Sequence, residues 1–175
     1  MLTTGCSQVN YNQHTTQLVN MSENDVCCDK QKLISYIKLK EIEYSMPSGL
    51  LQSIIFIESS YLPFTLNIDA KPYRFKNKYD AIRVAKQAAR RRKQIDIGVC
   101  QINYNVHGRN FKSIEQMINP FDNIDYAAKL LSNLASVKRS WKLAIQHYHG
   151  SNNKVNNIRY MNKVLKYRNT IIQIN

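Results

Sequence analysis

The sequence is poor in glycine, proline and acidic residues, with 5 Gly, 4 Pro and 12 Asp or Glu among 175 residues. So little glycine and proline argues against a loop-rich or low-complexity protein, and the length suits one domain with one core. No run of 18 or more apolar residues occurs, so no transmembrane helix is expected. None of the four cysteines has the spacing of a zinc site, and no metal or other cofactor is expected.

Basic residues outnumber acidic ones by 25 to 12, which gives a net charge of +13. Such a chain favours polyanionic partners, namely nucleic acid, anionic lipid or an acidic cell-wall polymer. The densest basic cluster spans 86–93 and includes three consecutive arginines. A solvated helix face also explains this cluster. Because no helix-turn-helix or zinc-finger pattern accompanies it, no nucleic-acid partner is expected.

Residues 1–28 are rich in Asn, Gln, Ser and Thr and have no hydrophobic period, which predicts a flexible polar leader before a folded domain over 29–175. The small residues before Cys6 resemble the end of a lipoprotein processing site, but no apolar segment precedes them and no signal peptide is visible. Cys6 is therefore a candidate for lipid attachment or, in an oxidising compartment, for a disulfide with Cys27 or Cys28.

Hydrophobic periodicity predicts a mainly α fold with one small β-hairpin. The hairpin combines short β-branched and aromatic runs at 64–68 and 72–75 with a turn at 69–71. Residues 95–104 are expected to form a glycine-containing loop or a short helix. The predicted helices span 30–45, 47–59 with Pro47 in the first turn, 77–93, 119–137, 141–148 and 156–172.

One carboxylate stands out because it ends an apolar helix face. Leu51, Ile54 and Ile55 lie seven, four and three residues before Glu58, so all four side chains share one face of the helix. Loss of solvent and the negative end of the helix dipole both disfavour the carboxylate form and raise the pKa, as a general acid requires. Taken alone, periodicity also permits a structural glutamate paired with one of the many basic residues.

Four segments carry a family resemblance when taken in order: Glu58-Ser59-Ser60 followed by Pro63, Ile95 to Asn103, Asn119 to Ile124 followed by Ala127 to Leu131, and Ala144 to Gly150. They resemble the Glu-Ser motif, the Gly-Leu-Met-Gln-Ile motif, the asparagine before a long helix and the Ala-Tyr-Asn motif of the soluble lytic transglycosylases, a family of the lysozyme-like superfamily. The resemblance covers about residues 30–170. The hairpin insertion is similar to that of small members often encoded with secretion machinery.

The resemblance implies a lysozyme-like helical domain that cleaves peptidoglycan. Glu58 would protonate the oxygen of the β-1,4 bond between MurNAc and GlcNAc and then act as base toward the MurNAc 6-hydroxyl, giving a 1,6-anhydroMurNAc product. Gln101 would hydrogen-bond the sugar, and Tyr148 would approach Glu58 and orient it. Ser59 would support the end of the helix more than it contacts substrate. Asn123 would be a buried polar group that ties helices together.

The same resemblance implies a monomer in the periplasm or cell envelope, with glycan strands as its substrate and secretion-system components as candidate partners. Its positive charge would hold it to the acidic wall. Two positions depart from the family pattern. Cys100 replaces a methionine that helps to line the sugar subsite, and His149 replaces an asparagine. Cys100 is also a candidate nucleophile, with His107, His147 or His149 as its base.

Glycosidases usually need two carboxylates, whereas a transglycosylase of this family manages with one. The candidates for a second carboxylate are Asp69 in the predicted hairpin turn and Asp96 beside the glycine of the second motif. If either faced Glu58 across the cleft, lysozyme-like hydrolysis would become the better interpretation. A non-catalytic helical protein that binds the cell wall or nucleic acid through its basic residues is the remaining alternative.

Overall fold

The computed structural model describes residues 30–174, without the side chain of residue 174. The predicted leader, with Cys6, Cys27 and Cys28, lies outside the described residues. The helices are α1 (Lys30–Glu43), α2 (Leu50–Ser59), α3 (Lys78–Arg90), α4 (Tyr104–His107), α5 (Ile114–Ile118), α6 (Pro120–Lys138), α7 (Trp141–His149) and α8 (Lys154–Ile174), with a 3-10 turn at Gly108–Asn110. The strands are β1 (Thr65–Ile68), β2 (Lys71–Arg74), β3 (Ile95–Ile97) and β4 (Ile102–Asn103). This architecture confirms the mainly α prediction.

Polar side chains define where several of these helices begin. Asn77 accepts a hydrogen bond from the backbone N–H of Asp80 at the start of α3. Ser113, Asn119 and Ser140 accept equivalent bonds at the starts of α5, α6 and α7. Such caps satisfy backbone donors that the first helical turn leaves without partners. The bounds of the six predicted helices lie within three residues of the observed ones, whereas α4 and α5 were not predicted.

The four strands form one antiparallel sheet in the order β2-β1-β3-β4. The β1–β2 pair confirms the predicted hairpin. The prediction of a loop or short helix for 95–104 is wrong, because β3 pairs with β1, with Leu66 opposite Ile97, and β4 pairs with β3. Ile95 and Ile97 are buried on one face of the sheet, which leaves Asp96 between them on the other face.

Helix α2 lies at the centre of the core. Its Leu50, Leu51, Ile54 and Ile55 are at most 1% exposed, and α1 and α8 pack against it. A helix that is apolar around most of its circumference must be buried in this way. Glu58, in its last turn, is thus carried by a segment that the whole core fixes in place.

A side chain from the neighbouring helix caps the start of α2. Pro47 was expected in the first helical turn, but α2 begins at Leu50, after Gly49 in a left-handed conformation with φ 76°. The Glu41 carboxylate of α1, only 4% exposed, accepts hydrogen bonds from the backbone N–H groups of Gly49 at 2.7 Å and Gln52 at 2.9 Å. A carboxylate at a helix N-terminus is also favoured by the helix dipole. The tertiary contact, rather than Pro47, sets the start of the helix.

We expect Glu41→Ala to lower the free energy of unfolding by about 2–3 kcal/mol, since it leaves two buried backbone donors without an acceptor. Urea denaturation followed by circular dichroism measures the change. Glu43→Ala on the same helix is the matched control. Glu43 is exposed and pairs with Lys40 at 2.8 Å, so its loss should cost less than about 0.5 kcal/mol. Equal effects of the two substitutions would contradict the capping role.

Candidate active site

A cleft of about 550 Å³ opens beside the end of α2. The sheet contributes its polar face, and the chain between β3 and β4, together with α4, α6 and α7, completes the wall. Its lining residues are Glu58, Asn67, Asp96, Gln101, Ile102, Asn103, Val106, His107, Leu130, His147, Tyr148, His149 and Gly150. The predicted residues Glu58, Gln101, Tyr148 and His149 therefore meet in one place, although they come from distant parts of the chain.

The Glu58 carboxyl group has a raised pKa in this cleft. Burial and, to a smaller extent, the negative charge of Asp96 raise its pKa to about 7, against the opposing effect of a hydrogen bond from Tyr160. The Tyr160 hydroxyl donates to Glu58 Oε1 at 2.5 Å. A carboxyl group with a pKa near the ambient pH can both donate and accept a proton. No basic side chain of the described residues pairs with Glu58, so the structural ion-pair interpretation is not supported.

The hydroxyl that hydrogen-bonds Glu58 belongs to Tyr160 on α8, whereas Tyr148 was predicted to approach and orient Glu58. The Tyr148 hydroxyl instead donates to the backbone carbonyl of Cys100 at 2.7 Å. Tyr148 therefore ties α7 to the chain that precedes β4. Sequence reasoning missed Tyr160, although one signal was available: it lies four residues before the buried Val164, on the apolar face of the last helix.

Gln101 is fixed by its own side chain. Its Nε2 donates to the carbonyl oxygens of Gly98 at 2.8 Å and Thr65 at 3.1 Å, and its backbone has a left-handed φ of 49°. Both amide hydrogens are thereby used, so any hydrogen bond to a ligand has to be accepted by Oε1. Gln101 is suited to receive a hydrogen bond from a hydroxyl or N–H group.

The Cys100 side chain does not line the cleft, contrary to prediction. It is 0% exposed, because the backbone turn after Gly98 points it into the core. Burial also raises the pKa of its thiol well above the usual value, which disfavours the thiolate that a nucleophile needs. Ser59 is likewise buried, and its Oγ donates to the Ile55 carbonyl at 3.2 Å. It supports the helix end and is not placed to contact substrate.

Asn123 is the buried polar group that the sequence predicted. Its Oδ1 accepts from the Cys100 N–H at 2.8 Å, and its Nδ2 donates to the carbonyls of Met117 at 2.8 Å and Ile97 at 3.0 Å. A Cβ at Gly98 would lie 2.8 Å from the Asn123 amide, and Gly98 has a φ of +83°. The close contact and the φ value together require glycine. This cluster attaches the wall that carries Gln101 to helix α6.

Of the two candidate second carboxylates, only Asp96 lines the cleft with Glu58. Its oxygens accept hydrogen bonds from the side-chain amides of Asn103 at 2.8 Å and Asn67 at 3.2 Å. Burial raises the pKa of Asp96, and the two amide donors oppose that shift. Asp69 stays in the hairpin turn, where it pairs with Lys93 at 2.7 Å.

All three histidines of the described residues line the cleft. The His149 ring stacks on Tyr160, with 4.4 Å between the centroids and 6° between the planes. His107 Nδ1 lies 2.9 Å from the Tyr126 hydroxyl. Within residues 30–174, no group of three His, Cys, Asp or Glu side chains is placed to hold a metal ion.

A helical domain with a small sheet and a half-buried carboxyl group in a polar cleft has the features of an enzyme that acts on glycans. A family model described as "Transglycosylase SLT domain" matches residues 35–171. The chain therefore belongs to this family, which gives it a lysozyme-like fold and a lytic transglycosylase-type function in the cleavage of peptidoglycan. No curated protein and no solved structure matches the chain. Among the described residues, no helix is long and apolar enough to cross a membrane.

We expect Tyr160→Phe to raise the pKa of Glu58 above its value of about 7, since the hydroxyl that is removed lowers it. A ¹³C NMR titration of the glutamate carboxyl carbons measures the pKa directly, with Glu58→Gln identifying the resonance. Tyr79→Phe, which removes a hydroxyl from a ring that is 82% exposed, should leave the titration unchanged. A lower or unaltered pKa in Tyr160→Phe would exclude the hydrogen bond as a determinant of Glu58 protonation.

Proposed function

We propose that this protein cleaves the β-1,4 bond between MurNAc and GlcNAc in peptidoglycan without water, with Glu58 as its single acid/base. Glu58 gives its proton to the glycosidic oxygen as the bond to MurNAc C1 breaks. It then takes the proton of the MurNAc 6-hydroxyl, whose oxygen closes on C1. The product is 1,6-anhydroMurNAc, and Glu58 regains the proton that it lost.

The raised pKa of Glu58 in the cleft carries this proposal. At a pKa of about 7, half of the molecules hold the acid form near neutral pH, and the conjugate base is basic enough to take a proton in the second step. Tyr160 fixes one carboxyl oxygen, which leaves the other to face the substrate. Gln101 Oε1 accepts a hydrogen bond from the sugar. Tyr148 supports that wall of the cleft through its bond to the Cys100 carbonyl.

The second candidate function is lysozyme-like hydrolysis, and the location of Asp96 favours it. Asp96 shares the cleft with Glu58, and a second carboxylate is what a hydrolase uses to activate water or to attack the sugar. Its two bonds to Asn67 and Asn103 leave lone pairs for such a role, since a carboxylate has about four acceptor sites. Family membership supports transglycosylation instead. In that reaction the charge of Asp96 adds to the effect of burial in raising the pKa of Glu58.

The positive charge suits attachment to the acidic cell wall. Arg90, Arg91 and Arg92 are exposed at and after the end of α3, and none of the basic cluster at 86–93 lines the cleft. We infer that this surface holds the enzyme on its substrate outside the cytoplasm, as a monomer. Nucleic-acid binding could use the same basic residues, but that function would not require a carboxyl group with a raised pKa such as Glu58. Association with secretion machinery stays a prediction.

We expect Glu58→Gln to reduce muropeptide release from purified peptidoglycan by at least about 100-fold, because the amide can neither donate nor accept the proton. Mass spectrometry of the wild-type products should show 1,6-anhydro ends. The control is Glu43→Gln at the exposed end of α1, with wild-type activity expected. Products that are heavier than the 1,6-anhydro products by one water molecule would contradict this proposal and indicate hydrolysis. No release by the wild-type protein would favour a non-catalytic wall-binding role.

Asp96→Asn separates the two reactions. If Asp96 acts through its charge, the loss of that charge lowers the pKa of Glu58, so activity should fall off at a lower pH than in the wild type. The rate at the new optimum should stay within about ten-fold of wild type, with an unchanged anhydro product. The pH profile and the product masses check both points. A loss of about 100-fold or more at every pH would assign Asp96 a direct role and support hydrolysis.

A further inference from the structure

His149 lies at the end of α7, where the chain leaves the helix at Gly150 with a left-handed φ of 64°. Its imidazole ring is nearly parallel to the Tyr160 phenol ring, at 6°, with centroids 4.4 Å apart. This separation corresponds to an offset stack, the arrangement that two aromatic rings prefer. His149 lines the cleft and is exposed there, whereas Tyr160 is only 7% exposed and does not line the cleft. The imidazole therefore covers a face of Tyr160 from the cleft side.

The covered ring is the one that holds the catalytic candidate. The Tyr160 hydroxyl, on α8, donates a hydrogen bond to Glu58 Oε1. A phenol ring that shifts by a few tenths of an ångström would lengthen this 2.5 Å hydrogen bond. Hydrogen bonds weaken steeply as distance and angle depart from the optimum. His149 thus contacts Tyr160, and Tyr160 in turn hydrogen-bonds the carboxyl group that is proposed to transfer the proton.

From this arrangement we propose that His149 is a positioning residue, which holds the Tyr160 hydroxyl on Glu58 through ring stacking. The inference rests on the proposed role of Glu58. The proposal also bears on a departure from the family motif that this chain resembles, since His149 stands where that motif has asparagine. An asparagine side chain is too small and has no aromatic ring to stack on Tyr160.

The charged groups around the stack leave the imidazole neutral near pH 7. Burial and Lys163 of α8 lower the pKa of His149, and Asp96 of β3 raises it. The titratable groups around Glu58 are Tyr160 of α8, Asp96 of β3, Tyr148 of α7 and Cys100, which precedes β4. A neutral histidine packs as an aromatic ring. Phenylalanine can therefore replace His149 in the stack, and it has no titratable group of its own. Stacking and imidazole chemistry can therefore be tested separately.

The first test is His149→Ala, read by the ¹³C titration of Glu58 without substrate. If the stack holds Tyr160 in place, its loss weakens the hydrogen bond, and the pKa of Glu58 should rise, as in Tyr160→Phe. His149→Phe should keep the wild-type titration, and His149→Asn should behave as alanine does. In a Tyr160→Phe background, His149→Ala should add no further shift, since the two act through one hydroxyl. The proposal would be overturned if the pKa shifts of the two single variants added in full in the double variant, or if His149→Ala lowered the pKa of Glu58.

The second test uses the kinetics of muropeptide release. Because the substitution removes an aromatic pair, we expect His149→Ala to lower kcat roughly three- to ten-fold and to leave KM nearly unchanged. His149→Phe should restore kcat. A raised KM with unchanged kcat and pH profile would make His149 a substrate contact only. Failure of phenylalanine to restore kcat would assign the role to the imidazole nitrogens and overturn the stacking role. Thermal unfolding checks that the exposed substitution leaves the fold intact.

The two tests also separate this inference from the proposed function. If Glu58→Gln remained active, the assignment of Glu58 would fail, yet the titration would still report whether His149 controls the Tyr160–Glu58 bond. If Glu58→Gln were inactive while His149→Ala left the Glu58 titration unchanged, the stacking role alone would fail.

Discussion

The burial of one carboxyl group at the end of an apolar helix is the constraint on which the rest of the site depends. An ionised carboxylate in such a place costs free energy, so the group either takes up a proton or gains donors. Glu58 has one strong donor, the Tyr160 hydroxyl, and a neighbouring negative charge from Asp96. These partners leave it balanced between two protonation states near pH 7. A cationic partner would instead stabilise the carboxylate and lower the pKa, which would leave little of the acid form near pH 7.

The surrounding structure keeps this balance by fixing α2 at both ends. Glu41 caps the start of the helix through two backbone N–H groups, and Tyr160 holds its last carboxyl side chain from α8. The opposite wall is fixed by Asn123, which uses its amide to join three backbone groups of different segments. Buried polar groups of this kind are satisfied in full or are costly. Polar contacts therefore hold the cleft walls, while apolar packing supplies most of the stability of the domain.

Local patterns predicted those parts of the protein that local sequence determines. Periodicity, caps and β-branched residues gave the helices and the first hairpin, and the apolar face of α2 singled out Glu58. The sequence could not show contacts between distant segments. Tyr160 reaches Glu58 across 102 residues, and β3 forms only because β1 offers a partner. The burial of Cys100 likewise follows from the turn at Gly98, so a match to a family motif placed its side chain in the wrong environment.

The environments of the two cleft carboxylates differ in a way that bears on the chemistry. Burial raises the pKa of both groups, but two side-chain amides oppose that shift at Asp96, whereas one phenol opposes it at Glu58. Pairs of carboxyl groups whose surroundings separate their pKa values divide the roles of acid and anion between them. In both proposed reactions Glu58 is therefore the candidate proton donor and Asp96 the candidate anion. The two reactions differ in the nucleophile that attacks MurNAc C1, which is the sugar's own 6-hydroxyl in transglycosylation and another group in hydrolysis. Only in transglycosylation does Glu58 alone both give and take up the transferred proton.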